Sequence, residues 1–259
     1  MKFKGRWLPE TVKDYRATCL RLSNDLSNFK QDDIYKYYVG TDIRNFNYAQ
    51  QIYDYIKKHY PDLLLPHLLA YFQQNDKIGN PIIHEIVPDF NFAAGTLRYI
   101  KVLGDVLKHF KQTDVRQKII EIGGGYGGQA LIFKHYKNYL YTIIDIPEAI
   151  VLAKAYLAAN NFDVGFHDSE HIPADHKYDI CISDFCLSEL DEEGIDFYID
   201  NVIKNCLFAY ITTNCSQDKL DLIVHKLKPS FSKIIIENYI PQEQNRFNKI
   251  IIAKNGLLS

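Results

Sequence analysis

Residues 119–133 read IIEIGGGYGGQALIF. Ile119, Ile120 and Ile122 form an aliphatic run around Glu121, and five of the six residues from Gly123 to Gly128 are glycine. A helix-like pattern follows from Gln129. An apolar run that ends in a bare turn and reopens as a helix predicts a strand, a tight loop and a helix N-terminus. Glycine permits backbone geometries and close approaches that a Cβ forbids. Such a turn lets a ligand lie directly against main-chain N–H groups.

The texture around this stretch extends the reading. From Gln117 onward short aliphatic runs alternate with helical stretches: KIIEI, YLYTIID, DVGFH, YDICISD, LFAYITT, SKIIIEN and NKIIIAK. Helices are expected over residues 126–137, 147–160, 191–205 and 217–227. Alternation of this kind implies a parallel sheet covered on both faces. The last two runs are separated only by ENYIPQEQNRFN, too short for a helical crossover, so the final strand is expected to run antiparallel. The predicted fold is therefore α/β: a seven-stranded Rossmann-like sheet with a reversed last strand.

The N-terminal part is different. Residues 9–29, 44–59, 62–74 and 96–110 carry helical periodicity, with Pro9 near a first turn and Thr96 as a candidate N-cap. Residues 78–95 break the pattern with Gly79, Pro81, Pro88 and Gly95, and an irregular segment of that length inside a compact chain is often functional. The expected division is a helical cap and substrate region over 1–95 and a cofactor-binding domain over 96–259.

Composition narrows the function. The chain has 259 residues, 47% hydrophobic and 24% charged, with a formal charge of -2. That balance leaves no electrostatic footprint for nucleic acid or anionic membrane. The N-terminus has no apolar core of a signal peptide, and no apolar run approaches a membrane span. The five cysteines have no CxxC spacing, so neither a zinc site nor a disulfide framework is expected and a reducing cytoplasm is the natural compartment. No HExxH or related metal spacing is present.

The glycines alone fit two cofactors. Gly123, Gly125 and Gly128 satisfy the dinucleotide pattern G-x-G-x-x-G, while Gly123, Gly125 and Gly127 satisfy the G-x-G-x-G that suits S-adenosylmethionine. Asp145 closes the next strand, where its carboxylate can accept hydrogen bonds from ribose hydroxyls of either. Glu121 before the glycines and the reversed last strand favour S-adenosylmethionine, with S-adenosylhomocysteine as the product.

Three segments, EIGGGYGGQA, YTIIDIPEAIVLAKAYLA and YDICISDFCLSEL, are similar to the bacterial sugar O-methyltransferases of surface-polysaccharide gene clusters, which have the class I methyltransferase fold. GTLRYIKVLGDVL, IGNP at 78–81 and NRFNKIIIA with Asn248 add to the resemblance, which covers residues 78–253. It implies methyl transfer to a sugar hydroxyl, nucleotide-linked or in a capsule or lipopolysaccharide glycan. Asp184 departs from it, since the family more often has asparagine there.

An alcohol attacking a sulfonium needs in-line positioning and a group to take its proton. His84, Asp184 and Glu189 are the candidates. Arg98 is a candidate for the methionine carboxylate. Ile146, Asp168, Ser169 and Asp184 are candidate cofactor contacts beside Glu121, Asp145 and the glycines. Asn214, Asn248 and Tyr99 are candidates for the acceptor. SDFC is not the [DN]-P-P-[YF] of nucleobase amino methylation. Four alternatives stay open: methylation of a small phosphorylated or amine-bearing metabolite, an NAD-dependent oxidoreductase, a non-catalytic S-adenosylmethionine-binding partner, and a divalent-cation requirement met by His84, Asp184 and Glu189. Whether the chain forms a homodimer is likewise open.

Overall fold

The computed structural model describes residues 11–39, 46–87, 89–110, 115–169, 171–172, 177–242 and 247–255. Pro9, Arg44 and Pro88 lie outside them. The cap comprises α1 (Thr11–Ser23), α2 (Asp33–Val39), α3 (Phe46–His59) and α4 (Pro66–Phe72). A two-stranded antiparallel hairpin follows, β1 (His84–Val87) with β2 (Phe90–Phe92), and then the long helix α5 (Ala94–His109).

The remainder alternates as read. It runs β3 (Lys118–Ile122), α6 (Gly128–Tyr136), β4 (Leu140–Asp145), α7 (Pro147–Ala159), β5 (Gly165–Asp168), β6 (Tyr178–Asp184), α8 (Glu192–Asn201), β7 (Cys206–Thr213), α9 (Gln217–Leu227), β8 (Lys233–Asn238) and β9 (Lys249–Lys254). The seven strands order β5-β4-β3-β6-β7-β9-β8. β3 through β7 pair in parallel, and β9 runs antiparallel to both β7 and β8. The chain winds one way from β3 to β5 and the other way from β6, so the switch point lies between β3 and β6. Ligands of open α/β sheets bind in the crevice at the carboxyl ends there.

The period-two alternation of strand side chains assigns each residue a face. Ile119, Ile143, Ile180, Ile182, Phe208 and Tyr210 join one apolar cluster with α5, α6, α7 and the cap. Ile120, Ile122, Ile144, Cys181, Ala209 and Ile211 join the other with α8 and α9. By the same alternation Glu121, Asp145, Asp184 and Thr212 fall on the first face, beneath the cap and α5.

Three local expectations are corrected. The single helix read over 62–74 is a 3-10 turn (Pro61–Leu64), α4 and a second 3-10 turn (Gln73–Asp76), because Pro66 has no N–H to donate and holds Leu65 extended. The irregular 78–95 segment contains the β1–β2 hairpin, and Gly95 already lies inside α5. Thr96 is not the N-cap: Ala93 holds that position. The Asp76 carboxylate, from another element, accepts the Ala93 N–H at 2.9 Å and the Thr96 hydroxyl at 2.6 Å.

α5 is tied to the sheet by a buried polar column. Lys101 is fully buried, with Nζ 2.7 Å from Asp105 Oδ2 and 4.2 Å from the Tyr239 ring centroid. Asp105 also accepts the hydroxyls of Tyr60 at 2.5 Å and Tyr210 at 2.7 Å. Asp105→Ala is expected to cost about 3–5 kcal/mol, because it strands the Lys101 charge. Lys101→Met combined with Asp105→Leu should recover most of that loss. Urea denaturation of the parent and the two variants checks it, and equal losses in the single and double variants would contradict the pairing.

Candidate functional site

The glycine turn is closed by its own backbone and by one side chain. Gly123 N–H donates to the Ile144 carbonyl at 2.8 Å, and Gly127 N–H to the Gly124 carbonyl at 2.9 Å. Gly123 adopts φ +77°, and a Cβ there would overlap Cys186. Gly125 also has positive φ, +53°, but a Cβ would meet only Val39 at 3.6 Å and the Tyr35 hydroxyl at 3.7 Å. The first position is thus imposed by packing against the β6 loop, and the second by backbone geometry under the cap.

Asp145 ends β4 beside this turn. Its Oδ2 accepts the Gly125 N–H and its Oδ1 the Ile146 N–H, both at 2.8 Å. The carboxylate is buried, and burial pushes its pKa up to about 6 against those two bonds. Ile146 is buried at the extended residue before α7. Asp168 pairs with Asp145 across β4 and β5 and meets His171 Nδ1 at 3.0 Å. Ser169 is buried and donates its N–H to the Asp145 carbonyl at 2.9 Å. Asp145, Ile146, Asp168 and Ser169 are thereby brought to one corner, as their spacing predicts.

Glu121 lies beneath the turn. It is buried, its Oε2 accepts the Tyr141 hydroxyl at 2.9 Å, and burial raises its pKa to about 8, with Asp184 and Asp145 adding to the rise. Asp184 ends β6, its Oδ1 accepting the Thr212 hydroxyl at 2.7 Å. Arg98 Nε stands 3.6 Å from Asp184 Oδ2 and makes no hydrogen bond. Burial works against the Arg98 charge, but the Asp184 carboxylate outweighs it and the guanidinium is held above its ordinary pKa. Arg98 therefore faces Asp184 through Nε and also lines the cleft beside Tyr99.

The remaining candidates are dispersed. His84 opens β1, is buried, and packs its ring edge-on to Phe46 at 6.1 Å. Glu189 is exposed on the 3-10 turn after β6, and it is Ser188 that turns inward, donating to Asn214 Oδ1 at 2.9 Å. Asn248 is buried just before β9. Gln242 holds its backbone N–H and carbonyl, both at 2.9 Å, while both side-chain amide atoms are buried with no hydrogen bond among the described residues. Tyr99 lines a narrow cleft with Lys30, Asp76, Thr96, Arg98 and Tyr126, whose water-accessible volume is only about 10 Å³. Among the described residues no three His, Cys, Asp or Glu side chains gather as a metal ligand set.

Sequence reasoning missed Thr212, Tyr141 and Lys30, and weighed Tyr35 only as one of many N-terminal tyrosines. Thr212 and Tyr141 carry no motif, although strand alternation puts both on the acidic face. Lys30 is buried under the Tyr126 and Tyr156 rings at 4.9 Å and 5.4 Å, bonds the Asn75 carbonyl, and has its pKa lowered to about 8 by burial.

No protein-family model matches the chain. A curated relative, the ribosomal protein L11 methyltransferase of Dictyoglomus turgidum, is 25% identical over 199 residues, 74% of this chain. The match spans 63% of the length of that relative. Among solved structures, the PH0226 protein of Pyrococcus horikoshii OT3 aligns with 62% of this chain and 90% of its own, at 13% identity and TM-score 0.49. A methyltransferase from Pyrococcus furiosus aligns with 61% of this chain and 83% of its own, at 16% identity and TM-score 0.48. The glycopeptide N-methyltransferase MtfA, solved with S-adenosylmethionine, aligns with 56% of this chain and 90% of its own, at 11% identity and TM-score 0.46. β9 is reversed, the feature that favours S-adenosylmethionine over a dinucleotide in the sequence.

Glu121 generates a pH dependence. Its folded pKa of about 8 lies above the ordinary glutamate value of 4.5, so between these values the folded chain binds more protons than the unfolded one. Stability should fall as pH rises through that window, at up to about 1.4 kcal/mol per pH unit. Glu121→Gln should remove this slope, melting above the parent chain at pH 8 with a gap that closes toward pH 5. Parallel melting curves for the two proteins would refute it.

Proposed function

We propose that this chain is an S-adenosylmethionine-dependent methyltransferase that methylates a hydroxyl of a small polar acceptor, a sugar being the class its sequence resemblance favours. The observation that carries the cofactor is the Asp145 corner. A buried carboxylate, oriented by the glycine turn itself, stands at the carboxyl edge of the strand next to β3, beside the switch point. The residues fit the group: Asp145 can take ribose hydroxyls, Ile146 and Ser169 flank the adenine side, and Gly125 leaves the turn bare. S-adenosylmethionine, when bound, supplies a methyl group on a sulfonium as the electrophile.

The chain's own residues supply the rest. Glu121, held by Tyr141, keeps a protonated carboxyl under the turn at neutral pH. Asp184 stands across the switch point on the same face, its free oxygen toward Arg98. In this reading Asp184 orients the acceptor hydroxyl and takes its proton as the oxygen–methyl bond forms. Asn214 and Asn248 lie at the same edge, beyond the Thr213–Lys249 pair of β7 and β9. His84 and Glu189 are secondary candidates for the proton.

The sequence resemblance favours a small acceptor. A protein acceptor is the second reading, favoured by the name of the L11 relative. Transfer of radiolabelled methyl to nucleotide-linked sugars, amine metabolites and ribosomal protein separates the two.

Asp145→Ala should weaken S-adenosylhomocysteine binding about ten- to a hundredfold, the worth of hydrogen bonds to a charged group. Calorimetric titration measures it, and unchanged affinity would remove Asp145 from the ribose role.

A further inference from the structure

The cap is read from sequence as a substrate region, yet its first two helices stand against the cofactor corner. α1 packs along α7, and the Arg16 guanidinium grips Glu148 in the first turn of that helix at 3.0 Å and 3.1 Å. Glu148 is three residues past Asp145. α2 brings Tyr35 over the glycine turn. Its hydroxyl and Val39 are the two groups nearest to where a Cβ on Gly125 would stand, at 3.7 Å and 3.6 Å.

Tyr35 is held for a purpose that packing alone does not explain. Its ring is fully buried, stacked on Tyr15 at 5.9 Å and edge-on to Phe29 at 5.7 Å and Tyr126 at 6.5 Å. Its hydroxyl is buried and has no hydrogen-bond partner among the described residues. Buried hydroxyls without a protein partner are rare in folded chains and cost stability where they occur. A phenylalanine would serve the aromatic cluster better. The hydroxyl points at the one turn where a ligand oxygen is expected, beside the Gly125 N–H that Asp145 holds.

We propose that α1 and α2 form the outer wall of the cofactor site, and that the Tyr35 hydroxyl hydrogen-bonds the cofactor ribose. The inference rests on the methyltransferase reading above. With Tyr35 and Val39 this close to Gly125, a nucleoside enters only when α1 and α2 lift away from α7. The Arg16–Glu148 pair is the latch that opposes that movement. On closure Tyr35 exchanges an unpaired hydroxyl for a bonded one.

The test titrates the purified full chain with S-adenosylhomocysteine and with 5′-methylthioadenosine, which keeps the ribose and lacks the amino acid. Binding of neither by the parent chain would sink the methyltransferase reading, and the inference with it. If the parent binds, Tyr35→Phe should weaken both ligands about tenfold while the free protein melts no lower, since only an unpaired hydroxyl is lost. Equal affinities in parent and variant overturn the role of Tyr35. A loss confined to S-adenosylhomocysteine overturns the ribose assignment. For the latch, Arg16→Glu should speed ligand association a few-fold in stopped flow, the scale of a part-exposed ion pair. Adding Glu148→Arg should restore the parent rate, and unchanged rates overturn opening of the cap as the entry route.

Discussion

Three carboxyl groups, Glu121, Asp145 and Asp184, end or nearly end three strands on one face of the sheet, and all are withdrawn from water. Leaving such groups unpaired in a low-dielectric interior is costly. Much of the surrounding architecture answers that constraint. The glycine turn gives Asp145 a backbone N–H, Thr212 gives Asp184 a hydroxyl, and α5 brings Arg98 to its other oxygen. Among the described residues Glu121 receives only the Tyr141 hydroxyl, and it is the one whose pKa rises to about 8. Glu121 is therefore protonated at neutral pH, because burial raises its pKa and the Tyr141 hydroxyl offsets that rise only in part. A neutral carboxyl under the turn, between two better-satisfied neighbours, limits the repulsion that a single crowded edge would otherwise carry.

The cap repeats the pattern with cations. Lys30 is buried beneath Phe29, Tyr126 and Tyr156, and its amino group bonds a backbone carbonyl. Cation–π contact recovers part of the hydration it gives up. Tyr126 belongs to the glycine turn and Tyr156 to α7, so this cluster fastens the cap to the two elements that frame the cofactor corner. Asn75 adds a second fastening, accepting the Tyr156 hydroxyl at 2.7 Å and donating to Thr96 at 2.6 Å. Cap and sheet share one apolar cluster in consequence.

The sequence was legible where a single segment determines its own state. KIIEI and YDICISD are strands with the bounds their apolar runs imply, and α9 has the bounds read from its periodicity. The reversed β9 followed from the length of one connection. Pro66 was legible in principle, since a proline inside LLLPHLL breaks a helix, but periodicity outweighed it in the reading. The N-cap of α5 was not legible, because the group that satisfies its N–H is Asp76, 17 residues upstream and aligned only by the fold. The same holds for the site. Asp145 announces itself by spacing, whereas Thr212 and Tyr35 matter through neighbours that no local pattern names.

The residue after Asp184 shows where the fold accepts strain. Phe185 has φ +64°, a left-handed backbone that a bulky side chain adopts at a cost. Its N–H donates to Thr212 Oγ1 at 2.8 Å, and that same hydroxyl donates to Asp184. One β7 side chain thus fixes both the turn and the carboxylate. The turn sends the Phe185 ring to Tyr239 at 5.4 Å and toward the Arg98 guanidinium at 6.0 Å. A relaxed turn would redirect Asp184 and uncover the Arg98 face together. Local preference and global fold disagree here, at the carboxyl edge beside the switch point, where a conflict of this kind points to use rather than to error.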